Sequence, residues 1–285
     1  SGNGVSTARR YLAAAGTQNA GIVFGGLVNS NQNITEEYDG TNWSTGGTLI
    51  TARHNLGGSG TQNATLAFGG GSPSAEDSTE EYDGSTWSAG GDLIVARRYI
   101  AGAGTQNATV AFGGQNPTGV VSCTEEYDGS SWTDSGNFPI NISYHAMAGT
   151  QTAALLGMMI KFDGSSPDQT NEFFEYNGSS WTAAGNQNNT RYAGAAFGTQ
   201  TAAITAGGGS APAGHQNKVE SYDGTSFTNE TTMVTGSNYL QGGGTSSSGL
   251  AFGGSGPAGS GPNQALNRTE EWNDPSDGTR TMDVS

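Results

Sequence analysis

Six of the ten Lys and Arg residues in this 285-residue chain stand in short runs that recur along it: Arg9, Arg10, Arg53, Arg97, Arg98 and Arg191. Guanidinium groups gathered on one surface could hold a carboxylate, or a sulfated or acidic sugar, through bidentate hydrogen bonds. The same arginines could instead be consumed by the repeated acids Glu36, Glu37, Glu80, Glu81, Glu125 and Glu126, as ion pairs between neighbouring repeats. The three histidines are His54, His145 and His215, of which His145, beside Tyr144, is a candidate ligand contact or a packing residue. Adjacent glutamates on a strand point to opposite faces, so the Glu-Glu pairs do not form the facing carboxylates of a glycosidase. Asp274 with Asp277, and Asp163 with Asp168, lack EF-hand spacing. No catalytic residue, metal site or cofactor follows from these residues, and Arg9, Arg10, Arg53, Arg97, Arg98, Arg191 and His145 are the candidate ligand-binding set.

The elements that position them come from repetition. Thr35-Glu36-Glu37-Tyr38-Asp39-Gly40-Thr41-Asn42-Trp43-Ser44 returns as residues 79 to 88 and 124 to 133, then in altered form around Tyr176, Tyr222 and Trp272. Before each copy lie an apolar run ending in paired glycine (Gly25-Gly26, Gly69-Gly70, Gly113-Gly114) and a Gly-Thr-Gln-Asn-Ala turn. The turn glycines Gly16, Gly60, Gly104, Gly149, Gly198 and Gly244 mark six copies. Each copy reads as four short strands: a first strand opening at the arginine run, an apolar second strand, the Tyr-bearing third, and a Trp-bearing fourth behind an Asp-Gly type I′ hairpin. Four strands at this period predict stacked units that bury their faces against one another.

The chain therefore resembles the kelch family, with Gly-Gly after an apolar strand, Tyr in the third strand and Trp in the fourth. The resemblance implies an all-β, six-bladed β-propeller of four-stranded antiparallel blades, over 6–48, 49–92, 93–137, 138–185, 186–232 and 233–285, as one domain. It departs at Met158-Met159, which replace paired glycine, at Phe227 for Trp and at Trp272 for Tyr. The last blade is expected to be completed by Thr279 to Ser285 rather than by Asn3 to Ser6. The near-identical early repeats are similar to kelch-like repeat proteins of marine bacteriophages, which implies a virion, tail or capsid-associated protein at a virion or extracellular surface.

In such a fold the first strands line the axis, and the arginine runs and the variable segments meet on one face, the candidate binding face. Galactose oxidase shares the architecture, but its copper site needs a cysteine thioether near the axis, and Cys123, the sole cysteine, precedes a third strand. Sialidases offer an aspartate-box turn like Asp39-Gly40-Thr41-Asn42-Trp43, one residue longer, yet no nucleophilic tyrosine with a glutamate partner is assignable here. A net charge of −15 disfavours nucleic acid and anionic membranes as partners, and no apolar run is long enough to insert. The expectation is a non-catalytic binding or structural module contacting a host surface glycan or another virion protein, with oligomerisation possible through a larger assembly; the alternative is a sialidase-like or galactose-oxidase-like enzyme.

Overall fold

The computed structural model describes residues 3–71, 73–163, 167–256, 264–274 and 281–284. The fold is all-β and propeller-like, and the described residues hold six four-stranded antiparallel sheets, each in chain order. In the first sheet the strands are Ala13–Thr17, Ala20–Phe24, Thr35–Tyr38 and Trp43–Thr45. In the sixth they are Gln241–Gly244, Ser248–Phe252, Thr269–Asn273 and Thr281–Val284, so a C-terminal segment supplies the last strand. Residues 279, 280 and 285 of the expected closing segment, and Asp277, lie outside the described residues. The first strands stand side by side in chain order, and the sixth stands beside the first.

Composition explains the layering. First strands such as Gly57–Thr61 and Ala101–Thr105 are built from small residues because six of them crowd around a common space. Second strands are buried on both faces and read as continuous apolar runs: Ile22, Val23 and Phe24 are fully buried. Each such phenylalanine contributes about 2–3 kcal/mol of transfer free energy. Fourth strands are exposed except for their aromatic residue.

Within the repeated motif the Thr, second Glu, Tyr and Trp side chains link neighbouring sheets. The Thr hydroxyl accepts the indole N–H of the next sheet: Trp87 Nε1 to Thr35 Oγ1 at 2.9 Å and Trp132 Nε1 to Thr79 Oγ1 at 2.9 Å. The second Glu accepts the phenol of the next sheet, Tyr82 to Glu37 at 2.5 Å and Tyr127 to Glu81 at 2.5 Å, and Tyr38 returns to Glu271 of the sixth sheet at 2.9 Å. Burial, and donation to a carboxylate, push the Tyr82 and Tyr127 phenols up to about 12.

Two local expectations are corrected. The Asp-Gly hairpin is a four-residue loop, not a type I′ turn: only Gly40 has positive φ, while Asp39 Oδ1 accepts the amides of Thr41 and Asn42 at 2.8 and 2.7 Å. The first strand begins at Ala13, not in the arginine run, because Tyr11 (φ +58°) breaks the extended backbone.

Met158 keeps the left-handed conformation of the glycines it replaces, φ +53° against +65° at Gly25 and +63° at Gly207. A compensating swap makes room for it. Gly25, Gly207 and Gly253 lie against Leu56, Leu240 and Leu12 of the following sheet, whereas Met158 lies against Gly194, where an added Cβ would meet the Met158 methyl at 1.9 Å. Met158→Gly should therefore cost about 2–4 kcal/mol through the cavity it opens, and Gly194→Leu on that background should restore at least half, both read from denaturant midpoints. A double variant no better than the single one would show that the two sites are not exchanging volume.

Candidate binding site at the tyrosine collar

The structure divides the arginines. Arg9, Arg53, Arg97 and Arg191 are fully buried and paired with Glu36, Glu80, Glu125 and Glu220 at 2.7, 3.0, 3.0 and 3.0 Å. Their Nη1 groups go to main-chain carbonyls, Arg53 Nη1 to Gly69 O at 2.9 Å and to Ser78 O at 2.6 Å, and Arg97 Nη1 to Cys123 O at 3.0 Å, while each Nε is buried without a hydrogen-bond partner among the described residues. Each pair ties the start of one sheet to the third strand of that same sheet. The expected pairing between repeats is thus corrected to pairing within them. Burial pulls these guanidinium pKa values down, against the opposing pull of the glutamate, that of Arg191 to about 10. The carboxylates also cap backbone: Glu80 accepts the amides of Ile50 and Thr51 at 2.7 and 3.2 Å. In the fourth sheet the pair is replaced as a unit, with Ile142 at the arginine position and Phe174 at the glutamate position, both packed in one apolar cluster.

Two residues beyond each of these positions, the chain makes a feature the motif did not announce. Tyr11, Asn55, Tyr99, Tyr144, Ala193 and Tyr239 all have φ between +53° and +58°. Left-handed backbone at a non-glycine residue costs roughly 1 kcal/mol or more. The strain is held by hydrogen bonds from sheet to sheet: Asn55 N to Tyr11 O (2.9 Å), Tyr99 N to Asn55 O (2.8 Å), Ala193 N to Tyr144 O (2.9 Å) and Tyr239 N to Ala193 O (2.6 Å). The result is a main-chain collar where the first strands begin.

Four tyrosines crown the collar. Tyr99 and Tyr144 have ring centroids 4.5 Å apart, Tyr11 and Tyr239 4.6 Å, and Tyr144 and Tyr239 5.9 Å. Burial, and then the neighbouring phenols, raise the pKa of Tyr144 and of Tyr239. These groups therefore stay neutral and offer aromatic faces with O–H donors. The half-buried Arg10 and Arg98 lie 5.4 Å from the ring centres of Tyr11 and Tyr99 and bring positive charge to the rim. His54 bonds Asn31 at 2.9 Å, its pKa lowered by burial and then by Arg98 and Arg10.

Beneath the rings lies a cavity of about 60 Å³, lined by Tyr11, Asn55, Tyr99, Tyr144, His145 and Tyr239 among others, with no Asp or Glu among its described lining residues. His145 occupies the inner apolar position held by Leu12, Leu56, Ile100 and Leu240 in other sheets, donating from Nε2 to Phe112 O at 2.9 Å. Its Nδ1 and the Asn55 Nδ2 are buried without a hydrogen-bond partner among the described residues. Such groups cost about 1–3 kcal/mol each until satisfied. Groups of three or more metal-ligating side chains are absent from the described residues, which include Asp163, Asp168 and Asp274.

Variable segments among the described residues lie beside the collar. Short hairpins at Gln115–Asn116 with Gly119–Val120 and at Gly209–Ser210 with Gly214–His215 flank the collar, and bridges join Arg10 to Leu27 and Arg98 to Gln115. Tyr11, Tyr99, Tyr239 and Asn55 were not singled out from sequence. Their signal is positional: each stands five residues before a turn glycine, as Tyr144 does before Gly149.

With this geometry in view, comparison with known proteins shows the fold alone. No family model matches the chain, and no curated protein matches it. Among solved structures, one described as "Structure of YjhT" superposes with a TM-score of 0.75, covering 99% of each chain at 12% sequence identity. The two share a fold.

Burial drives the His145 pKa down to about 4. The folded state thus binds fewer protons than the unfolded state between pH 4 and 6.5, and stability falls as pH drops through that window, by about 3 kcal/mol in full. His145→Leu should remove that slope between pH 6.5 and 4, as read by urea titrations across pH. An unchanged slope would place the titration elsewhere.

Proposed function

We propose that the six sheets are the blades of a closed, six-bladed kelch-like β-propeller, and that the chain is a non-catalytic binding module of a bacteriophage virion, tail or capsid-associated, whose tyrosine collar contacts an acidic host surface glycan. The observation that carries the binding reading is the collar: strained backbone at six equivalent positions, crowned by four phenols, above buried polar atoms that lack partners. Strain of this kind clusters at ligand clamps.

The cavity's size sets the mode of contact. A volume of about 60 Å³ takes a terminal substituent, not a whole sugar ring, so the sugar lies on the aromatic rim while a carboxylate or acyl group points inward. Arg10 and Arg98 supply the complementary charge that the four buried arginines cannot. The absence of carboxylates from the described lining favours binding over glycoside hydrolysis, which needs two acids across the bond. The virion setting rests on the likeness of the repeats to phage kelch-like proteins. Another virion protein as the partner is an outcome of the same test.

A glycan array followed by titration calorimetry tests the reading. Sialylated, uronate-containing or sulfated glycans should bind, and Tyr99→Asn or Tyr144→Asn, which place at those positions the residue type already tolerated at Asn55, should weaken binding at least tenfold with the fold intact. Arg10→Ala and Arg98→Ala should weaken acidic more than neutral glycans. Absence of binding to every acidic glycan would overturn the glycan reading, and turnover of a chromogenic glycoside abolished by the same substitutions would replace it with an enzyme.

A further inference from the structure

A second site emerges on the opposite face from one broken repeat. Five glutamines in the first hairpins reach into the preceding sheet and donate to two main-chain carbonyls. Gln62 Nε2 bonds Gly21 O and Tyr38 O at 3.0 and 2.8 Å, and Gln106 bonds Thr65 O and Tyr82 O at 3.2 and 2.7 Å. Gln151 bonds Thr109 O and Tyr127 O at 3.2 and 2.8 Å, and Gln200 bonds Ala154 O and Tyr176 O at 3.2 and 2.8 Å. Gln18 closes the series on Gly249 O and Trp272 O at 3.4 and 3.1 Å. In each case a carboxamide NH₂ satisfies two backbone oxygens at the end of a sheet.

The sixth hairpin has Ser246 in that place. The corresponding oxygens belong to Ala203 and Tyr222, which pair with each other as Gly21 does with Tyr38. No side chain among the described residues donates to either oxygen. The neighbourhood has changed with the glutamine: Trp272 stands at the tyrosine position and donates from Nε1 to Ser246 O at 2.7 Å, and Ser221 stands where other sheets carry the glutamate that accepts a phenol. What results is a cavity of about 310 Å³ lined by Thr201, Ile204, Ser221, Tyr222, Asp223 and Ser246 among others. It is five times the volume of the one under the tyrosines.

We infer that this slot between the fifth and sixth sheets binds a carboxamide from outside the chain, a glutamine side chain of a partner protein. The chemistry of the occupant is displayed by the chain itself at the five other junctions. An NH₂ group presents two N–H bonds in a fork that reaches two neighbouring carbonyls, each of which keeps its ladder bond and offers its second lone pair. A carboxylate brings no donor and would meet Asp223 and Asp274 at the rim. The slot lies on the face of the hairpin turns, away from the collar, so a partner held here leaves the collar free.

The test is an amide NMR titration of the whole chain with N-acetylglutamine methylamide, beside its glutamate isostere and n-butylammonium. The glutamine probe should shift the Tyr222, Asp223, Gly224 and Ser246 amides saturably, and the glutamate probe should not. Ser246→Gln installs the residue type of the other five hairpins, so the fold is kept, and it should weaken the glutamine probe at least tenfold by filling the slot. No saturable shift with the glutamine probe, equal binding of the glutamate probe, undiminished binding by Ser246→Gln, or preference for butylammonium would each overturn the inference, the last by showing that Asp223 and Asp274 merely collect cations.

Discussion

A carboxylate placed between packed sheets has to be fully hydrogen-bonded or it cannot stay charged. The Thr-Glu-Glu-Tyr stretch puts two of them side by side on a strand, and alternation sends them to opposite faces. The first, Glu36 and its equivalents, is buried within its own sheet and takes an arginine together with backbone amides. The second, Glu37 and its equivalents, faces the next sheet and takes a tyrosine hydroxyl. One interaction closes a sheet on itself, the other joins it to its neighbour, and the remaining architecture is built on the two.

The exceptions follow from the same requirement. Where a partner disappears, the group it served disappears too. Ile142 and Phe174 replace an arginine and a glutamate together; Phe173 and Phe227 replace a threonine and the tryptophan that would bond it, and their rings meet at 4.6 Å, tilted by 52°. Ser221 replaces the glutamate that would face Trp272, an indole without a phenol to offer. The sixth sheet breaks the pattern once: Glu270 is buried opposite Ser237 rather than an arginine, and burial raises its pKa, with the Val234 and Thr235 amides as its donors. Paired loss is what the cost of an uncompensated buried charge or donor demands.

Much of the scaffold was legible because repetition exposes periodicity: the four strands per unit, the tryptophan on the fourth strand and the C-terminal last strand were all readable from spacing and alternation. The arginines were legible as a set but not as to role, since sequence distance does not show that Arg53 turns inward to Glu80 while its neighbour position faces the mouth. The collar escaped because its signal is a backbone angle. Tyr11 follows Arg-Arg in what reads as a β-prone run, and only the left-handed turn at that residue ends the run and aims the ring over the axis. The glutamines escaped for a different reason: in Gly-Thr-Gln-Asn-Ala they look like turn filler, and their bonds run to a sheet some forty residues earlier.

The repeated motif holds the sheets together, and the proposed binding falls where the copies differ, at the collar of the proposed propeller. Hydrogen–deuterium exchange of the whole chain, with and without a saturating acidic glycan, tests this most directly. Protection should increase in the segments around Tyr11, Asn55, Tyr99, Tyr144 and Tyr239, with the Thr35–Tyr38 strand and its equivalents unchanged. Protection gained evenly along the motif strands, with the collar segments unaffected, would contradict it.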